Sequence, residues 1–227
     1  MLVLPFVIAL ETDDRTALAE VVKQGQKAER EWLTEARKRE GIRYLRGDAA
    51  REARSRVRAE FARLRKSGRL AGTVDLVVAR EVRAELKRRK MTGAYEPVPA
   101  VDAGAPGRPL GSSPRKQGRS ADEPTKLDAR LAVRLPADLG DQLVRACYWE
   151  SEPAVKALRE WQDLWGDGPE VILREAARNG APGMLAMFAA GLARRPDADT
   201  LLKKVELQDL IVTTGDVIRS AVKHAIL

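Results

Sequence analysis

The chain has 227 residues, with one cysteine, one histidine and an aromatic content of only 4%. A single cysteine excludes an intrachain disulfide framework and a thiolate metal cluster, and a single histidine leaves little material for metal-dependent or acid–base catalysis. The 41 basic residues exceed the 33 acidic ones and give a net charge of +8. This balance favours a polyanionic partner. We therefore expect a non-enzymatic binding protein with no cofactor and no metal site.

Residues 1–10 form an apolar stretch that resembles a targeting segment only superficially. The stretch contains no basic residue, is interrupted by Pro5, and runs into the acidic sequence after Leu10 without a small-residue cleavage site. Ten residues are also too few to cross a bilayer. We expect these residues to form a strand or an apolar arm packed on helices, in a cytoplasmic protein without an integral membrane segment.

Charge and composition divide the chain into three parts. Residues 1–100 carry 23 basic and 15 acidic side chains, whereas residues 127–227 carry 13 and 15. Between them lies a stretch rich in Pro, Gly, Ser and Ala, which cannot sustain a regular helix or a central strand. The sequence predicts a mainly α protein: a basic helical region over 1–95, a disordered linker over 96–125, and a small helical domain over 126–227 with one short strand.

The first region is predicted to contain two to three antiparallel helices. Apolar residues recur every three to four positions from about 12 to 45, again up to Gly68, and again from Thr73 to Lys90. The first helix is expected to continue to about Leu45, with Gly41 as an alternative break, and the pair Gly47–Asp48 is expected to stop it and to supply the N-cap of the second helix. Each apolar stripe is narrow and the opposite face is charged, which is typical of a slim bundle or coiled coil.

Four arginines share one side of the second predicted helix. Arg51, Arg54, Arg58 and Arg65 recur at steps of three, four and seven residues. Such a row can neutralise successive phosphates and release their counterions. The alternative is a solvated surface in which neighbouring carboxylates pair with these side chains.

The last third of the chain begins with a predicted strand and continues as helices. From 127 to 135 apolar residues alternate with Asp128, Arg130, Ala132 and Arg134, which is the period of a half-buried strand. Helices are expected over 136–148, 151–164, 169–178, 182–194 and from Asp197 to the end. The last of these is expected to break near Gly215.

The order strand, helix, helix over residues 126–165 resembles a ribbon-helix-helix DNA-binding domain. In that family two chains pair their strands into an antiparallel ribbon that enters the major groove. The resemblance implies that Arg130 and Arg134 meet base edges, where Arg suits guanine, and that Ser151, at the start of the second helix, meets a phosphate. Gly140 within the first helix and the large residues of 148–151 in the turn depart from the family pattern.

The remaining distinctive residues have structural interpretations. Three tryptophans, Trp149, Trp161 and Trp165, form a cluster that is more typical of a core than of a base-stacking platform. Cys147 is expected to be a small buried hydrophobe, and His224 a surface residue favoured by a helix C-terminus. The final helix has a wide apolar face that must be buried in its own domain or against a second chain, so a homodimer is expected.

Together these patterns predict a nucleic-acid-binding accessory protein whose partner is DNA. The Arg- and Ala-rich composition looks like that of accessory proteins of actinomycete plasmids and other mobile elements. This resemblance implies a role in plasmid transfer (conjugation), spread or copy control, or in transcriptional regulation. The alternative is a protein–protein adaptor with a coiled-coil N-terminal region and an apolar C-terminal docking face. Peripheral membrane attachment through residues 1–10 is a third hypothesis.

Overall fold

The computed structural model describes residues 2–99, 127–165 and 196–227. Within them the chain is mainly helical, as predicted, with six helices and two strands. The predicted linker and the helices predicted over 169–178 and 182–194 lie almost wholly or wholly outside the described residues. The elements in chain order are β1 Val3–Leu10, α1 Thr12–Arg39, α2 Gly47–Lys66, α3 Val74–Arg88, β2 Ala129–Pro136, α4 Ala137–Trp165, α5 Ala198–Asp209 and α6 Thr214–Ile226.

The elements form two compact units that do not follow chain order. The first unit contains 1–96, 120–146 and 214–227, and the second contains 97–119 and 147–213. Helix α4 is therefore divided between them, and the C-terminal helix α6 belongs to the same unit as the N-terminal helices.

A two-stranded antiparallel ribbon lies in the first unit. β1 pairs with β2 along its full length, from Val3 opposite Pro136 to Leu10 opposite Ala129. One face is turned inward, and its β2 residues Ala129, Leu131, Val133 and Leu135 are all buried. The strand predicted near 127–135 and the strand interpretation of residues 1–10 are thus confirmed.

The glycine inside α4 has a packing role. A Cβ on Gly140 would lie 3.0 Å from a methyl carbon of Leu4 and 3.3 Å from the ring of Phe6. The absence of a side chain therefore lets the first turns of α4 approach the inner face of the ribbon closely. Gly140 departs from the family pattern in the sequence, and its close contact with β1 explains why glycine is present there.

The three N-terminal helices end in the same way. At each C-terminus the chain enters the left-handed region, at Gly41, Gly68 and Lys90. After α1, for example, the N–H of Gly41 donates to Lys38 and the N–H of Ile42 donates to Arg37, which is the Schellman pattern that satisfies the last carbonyls. The predicted breaks near Gly41 and Gly68 are confirmed, although α1 ends at Arg39 and not near Leu45.

The C-terminal helix α6 packs chiefly on α3. Its four residues Val217, Ile218, Ala221 and Val222 are fully or almost fully buried, and α3 is the element with which it makes its most extensive contact. The part of the predicted apolar face that lies on α6 is therefore buried within the chain's own first unit, whereas Leu201, Leu202, Val205 and Leu210, on and just after α5, are exposed, contrary to the expectation.

One continuous helix replaces two predicted ones. α4 runs from Ala137 through Pro153 to Trp165, so the predicted turn at 148–151 was wrong. The proline removes one backbone donor. On the turns of α4 that follow it, however, the side chains of Ala154 and Leu158 are buried in a cluster with Ile211. This packing stabilises a continuous helix, although Pro153 led the sequence analysis to predict the start of a new helix at this point.

The core interpretation of the tryptophan cluster is confirmed for one of its three residues. Trp161 is buried, and its indole N–H donates to the carbonyl of Thr200 at 3.1 Å, whereas Trp149 and Trp165 are half-buried. Asp197 accepts from the N–H of Thr200 and caps α5, so the helix begins where the sequence predicted. The chain leaves the helical conformation between α5 and α6, close to the expected break. No helix in the described parts of the chain is long and apolar enough to cross a membrane.

Candidate nucleic-acid interface

The outward face of the β1–β2 ribbon carries the two arginines that the strand pattern singled out. Arg130 and Arg134 are both exposed, with exposed Ala132 between them. We call this surface the outer ribbon face; its eight residues are Val3, Pro5, Val7 and Ala9 on β1 and Arg130, Ala132, Arg134 and Pro136 on β2. None of the eight is acidic. The two guanidinium groups therefore give these eight residues a positive charge. Two carboxylates lie at their border: Asp75, which accepts from the backbone of Arg134, and Asp128, which accepts from Thr12.

The strand register fixes how the face is built. Pro5 lies opposite Arg134, and since proline has no N–H, this pair must be one of the non-hydrogen-bonded pairs of the ladder. The N–H of Arg134 accordingly points away from β1 and donates to the Asp75 carboxylate at 2.9 Å. Asp75 thus occupies the edge of β2 and fixes the strand to the start of α3.

Apolar side chains occupy the β1 half of the same face. Val7 is 70% exposed and Val3 is 45% exposed, and the neighbouring Leu2 is 82% exposed. Sequence reasoning missed this contribution, because inner and outer positions of residues 2–10 are all apolar and show no alternation. Only the pairing with β2 reveals that Val7 stands directly opposite Ala132.

The four arginines predicted to form a row on α2 differ in their exposure and in their ion pairs. Arg54 and Arg58 are exposed, and no ion pair engages them among the described residues. Arg51 lies 3.3 Å from Asp48, with both side chains largely in solvent, so this pair contributes little and is easily exchanged for another anion. These three side chains form the available part of the row.

Arg65 differs from the other three because it pairs with a buried carboxylate. Its Nε and Nη2 atoms lie 2.9 and 3.3 Å from the two carboxylate oxygens of Glu29, and its guanidinium carbon lies 5.2 Å from the centre of the Phe61 ring. Glu29 also accepts from the N–H of Gly72 at 2.9 Å. Arg65 therefore stabilises the interior of the unit. The sequence spacing grouped it with three arginines that are exposed and have a different role.

Ser151 also departs from its predicted role. It is 1% exposed and lies within α4, not at a helix N-terminus. Its hydroxyl donates to the carbonyl of Val212 at 3.0 Å and accepts from the N–H of the same residue at 2.9 Å. The expectation failed because it depended on a turn at 148–151 that the structure does not contain.

A second buried carboxylate, which the sequence gave no reason to single out, lies between α3 and α6. Glu85 accepts from Arg88, from Arg89 and from the Ser220 hydroxyl at 2.6–2.8 Å, and His224 lies 3.8 Å away. Burial alone would raise the pKa of Glu85, but the hydrogen bonds from Arg89 and Ser220 and the charges of Arg89 and Arg88 outweigh it and lower the pKa. The cluster therefore keeps a charged carboxylate at the interface of the two helices.

Three other titratable residues are Cys147, His224 and Asp14. Cys147 is buried, as expected, and His224 lies in the last turn of α6. Burial raises the pKa of Asp14, while Lys223 opposes that shift. Within the described ranges no group of three His, Cys, Asp or Glu side chains is arranged to hold a metal ion.

Comparison with known proteins adds no relative from which a function could be transferred. No protein-family model, curated protein or solved structure matches the chain. The resemblance to a ribbon-helix-helix domain therefore stays a prediction from residues 126–165.

Proposed function

We propose that this protein is a non-enzymatic accessory protein that binds duplex DNA through the outer ribbon face. The observation that carries the proposal is the exposure of Arg130 and Arg134 on a two-stranded antiparallel ribbon whose outward face has no acidic residue. A ribbon of two strands fits the major groove of B-form DNA, and arginine pairs with the O6 and N7 atoms of guanine there.

The arginines of α2 are assigned to phosphate contacts. Arg51, Arg54 and Arg58 are exposed on one side of a helix in the same compact unit as the ribbon. Contacts of this kind give affinity that is independent of sequence and falls as salt rises. The ribbon would then supply selectivity and α2 would supply part of the affinity.

The ribbon of this protein is formed differently from that of a ribbon-helix-helix domain. A ribbon-helix-helix protein builds its ribbon from two chains, whereas here the partner of β2 is β1 of the same chain. DNA binding by this ribbon would not require a homodimer. A homodimer, and a role in plasmid transfer, spread, copy control or transcriptional regulation, remain proposals that follow from the sequence.

The test is a fluorescence-anisotropy titration of the full chain with generic duplex DNA at several salt concentrations. We expect affinity to fall steeply with salt, and the double variant Arg130→Ala/Arg134→Ala to bind more weakly at one salt concentration, because two cations that face the DNA are lost. Arg159→Ala is the matched control, because Arg159 is an exposed arginine of α4 in the second unit. Equal losses for the control and the double variant would contradict the proposal.

The role of α2 is tested by the salt dependence itself. In Arg54→Ala/Arg58→Ala the slope of log affinity against log salt should become shallower by about 1.8, since each lost phosphate contact contributes about 0.9. An unchanged slope would remove α2 from the interface.

The exposed apolar residues of β1 favour one alternative, a protein–protein adaptor. Leu2, Val3 and Val7 present apolar surface beside the arginines, and an apolar docking face would bind a protein partner with little dependence on salt. Absence of DNA binding at low salt would favour this second function.

A further inference from the structure

The centre of the outer ribbon face is apolar and is flanked by arginine on both sides. Val7 lies opposite Ala132, and Ala132 lies midway between Arg130 and Arg134 on β2. All four side chains are exposed. The face therefore presents a cation, a methyl-rich patch and a second cation in a line along the strand.

The spacing of the two arginines sets the distance between the base edges that they can contact. Four residues of extended strand span roughly 13 Å. Base pairs follow one another every 3.4 Å or so along a duplex. Backbone positions at this separation can place the two guanidinium groups on base edges about four base pairs apart.

The patch between the arginines has no hydrogen-bonding side chain. Val7 and Ala132 offer only methyl groups, so they cannot satisfy the amino donor of cytosine or the acceptors of guanine in the major groove. Thymine is the one base that presents a methyl group there, and apolar side chains pack against it. A thymine between the two arginine contacts offers this surface a methyl group to pack against, while its O4 and the edge of the partner adenine keep their hydrogen bonds to water.

We propose that the outer ribbon face recognises two guanines about four base pairs apart, with a thymine between them whose 5-methyl group packs on Val7 and Ala132. This inference rests on the proposed function and adds the chemical identity of the target. It assigns a recognition role to Val7, which the charge pattern of the sequence does not single out.

The test uses the full chain and three short duplexes of one length. The first carries guanine, three thymines and guanine; the second replaces each of those thymines with deoxyuridine, which lacks the methyl group; the third replaces the guanines with 7-deazaguanine, which lacks N7. We expect the second and third duplexes each to bind about tenfold more weakly than the first. A further duplex with two additional base pairs between the guanines should bind as weakly as the third.

Variants link each base change to its side chain. Val7→Ala should bind the thymine and deoxyuridine duplexes with nearly equal affinity, and Arg130→Ala/Arg134→Ala should no longer distinguish guanine from 7-deazaguanine. Val144→Ala and Arg159→Ala are the controls, since both change exposed residues on α4. Both controls should discriminate between the duplexes as the unaltered chain does.

The outcomes separate the two proposals. Salt-dependent binding of equal strength to all the duplexes would overturn the inference and leave DNA binding intact. No binding to any duplex at low salt would overturn both. Discrimination that Val7→Ala leaves unchanged would overturn the assignment of the methyl contact to the ribbon.

Discussion

Arginine serves opposite purposes in two regions of the first unit. Around the buried carboxylates Glu29 and Glu85, the guanidinium groups of Arg65, Arg88 and Arg89 lie 2.6–2.9 Å from a carboxylate oxygen. On the outer ribbon face, Arg130 and Arg134 point into solvent from a surface without acidic residues. The same residue type thus neutralises internal charge in one region and presents charge in the other.

The difference teaches that the spacing of arginines does not reveal whether their charge is available. Arg65 follows Arg51, Arg54 and Arg58 in a regular helical row, yet its partner Glu29 lies 36 positions earlier in the chain. A buried carboxylate needs a cation to offset its desolvation. An exposed arginine without a partner does not stabilise a buried charge. Substitution of the internal arginines should therefore lower stability, whereas substitution of the exposed ones should weaken binding.

The largest effect on stability is expected from Gly25→Ala, which disturbs the contact beside Glu29. A Cβ on Gly25 would lie 2.1 Å from the carbonyl oxygen of Ala71, so the backbone would have to move. Helix propensity alone predicts stabilisation by about 1 kcal/mol, whereas we expect destabilisation by about 3 kcal/mol. Urea unfolding of the full chain measures the sign. Gly93→Ala is the control, because a Cβ there has no neighbour within 4 Å.

Arg65→Ala comes next, and Arg54→Ala provides its matched comparison on the same helix. Loss of Arg65 leaves the Glu29 carboxylate without its cation and should destabilise the fold by about 2 kcal/mol, less than for a fully buried pair because water reaches the guanidinium. Arg54→Ala should change stability by less than about 0.5 kcal/mol. Equal shifts of the two urea midpoints would break the distinction between internal and available arginines.

A smaller, pH-dependent effect is expected for Glu85→Gln. Because the fold lowers the pKa of Glu85, the charged carboxylate adds stability above its ordinary pKa of 4.5, and that stability is lost as the pH falls through the lower pKa of the folded state. The variant should be about 1 kcal/mol less stable than the unaltered chain at neutral pH, and the gap should narrow below about pH 4.5. Unfolding midpoints measured across this range, with exposed Glu52→Gln as control, test the prediction. A gap that widens in acid would contradict it.

The smallest effect on stability is expected for Arg130→Ala and Arg134→Ala, although they should have the largest effect on DNA affinity. Neither side chain is paired on the outer ribbon face, so each substitution should shift the free energy of unfolding by less than about 0.5 kcal/mol. Losses of stability comparable to that of Arg65→Ala would mean that the ribbon arginines support the fold.

Much of the local structure could be predicted from the sequence. Periods of three to four residues predicted α1, α2 and α3, and the period of two predicted β2, because one buried face imposes its own repeat on each element. Gly68, Thr73 and Asp197 marked helix ends through local hydrogen bonds. Arg130 and Arg134 were recognised as outward-facing for the same reason.

The sequence by itself determined the three N-terminal helices, which positions of β2 face outward, and that positive charge is concentrated before residue 127. Only the tertiary structure decided that β2 pairs with β1, that α4 continues through Pro153, that Ser151 is buried, and that Arg65 belongs to Glu29. These outcomes depend on contacts between residues that are between 36 and more than 100 positions apart. Local periodicity carries no information on such contacts, because they are selected by the burial and charge balance of the assembled unit.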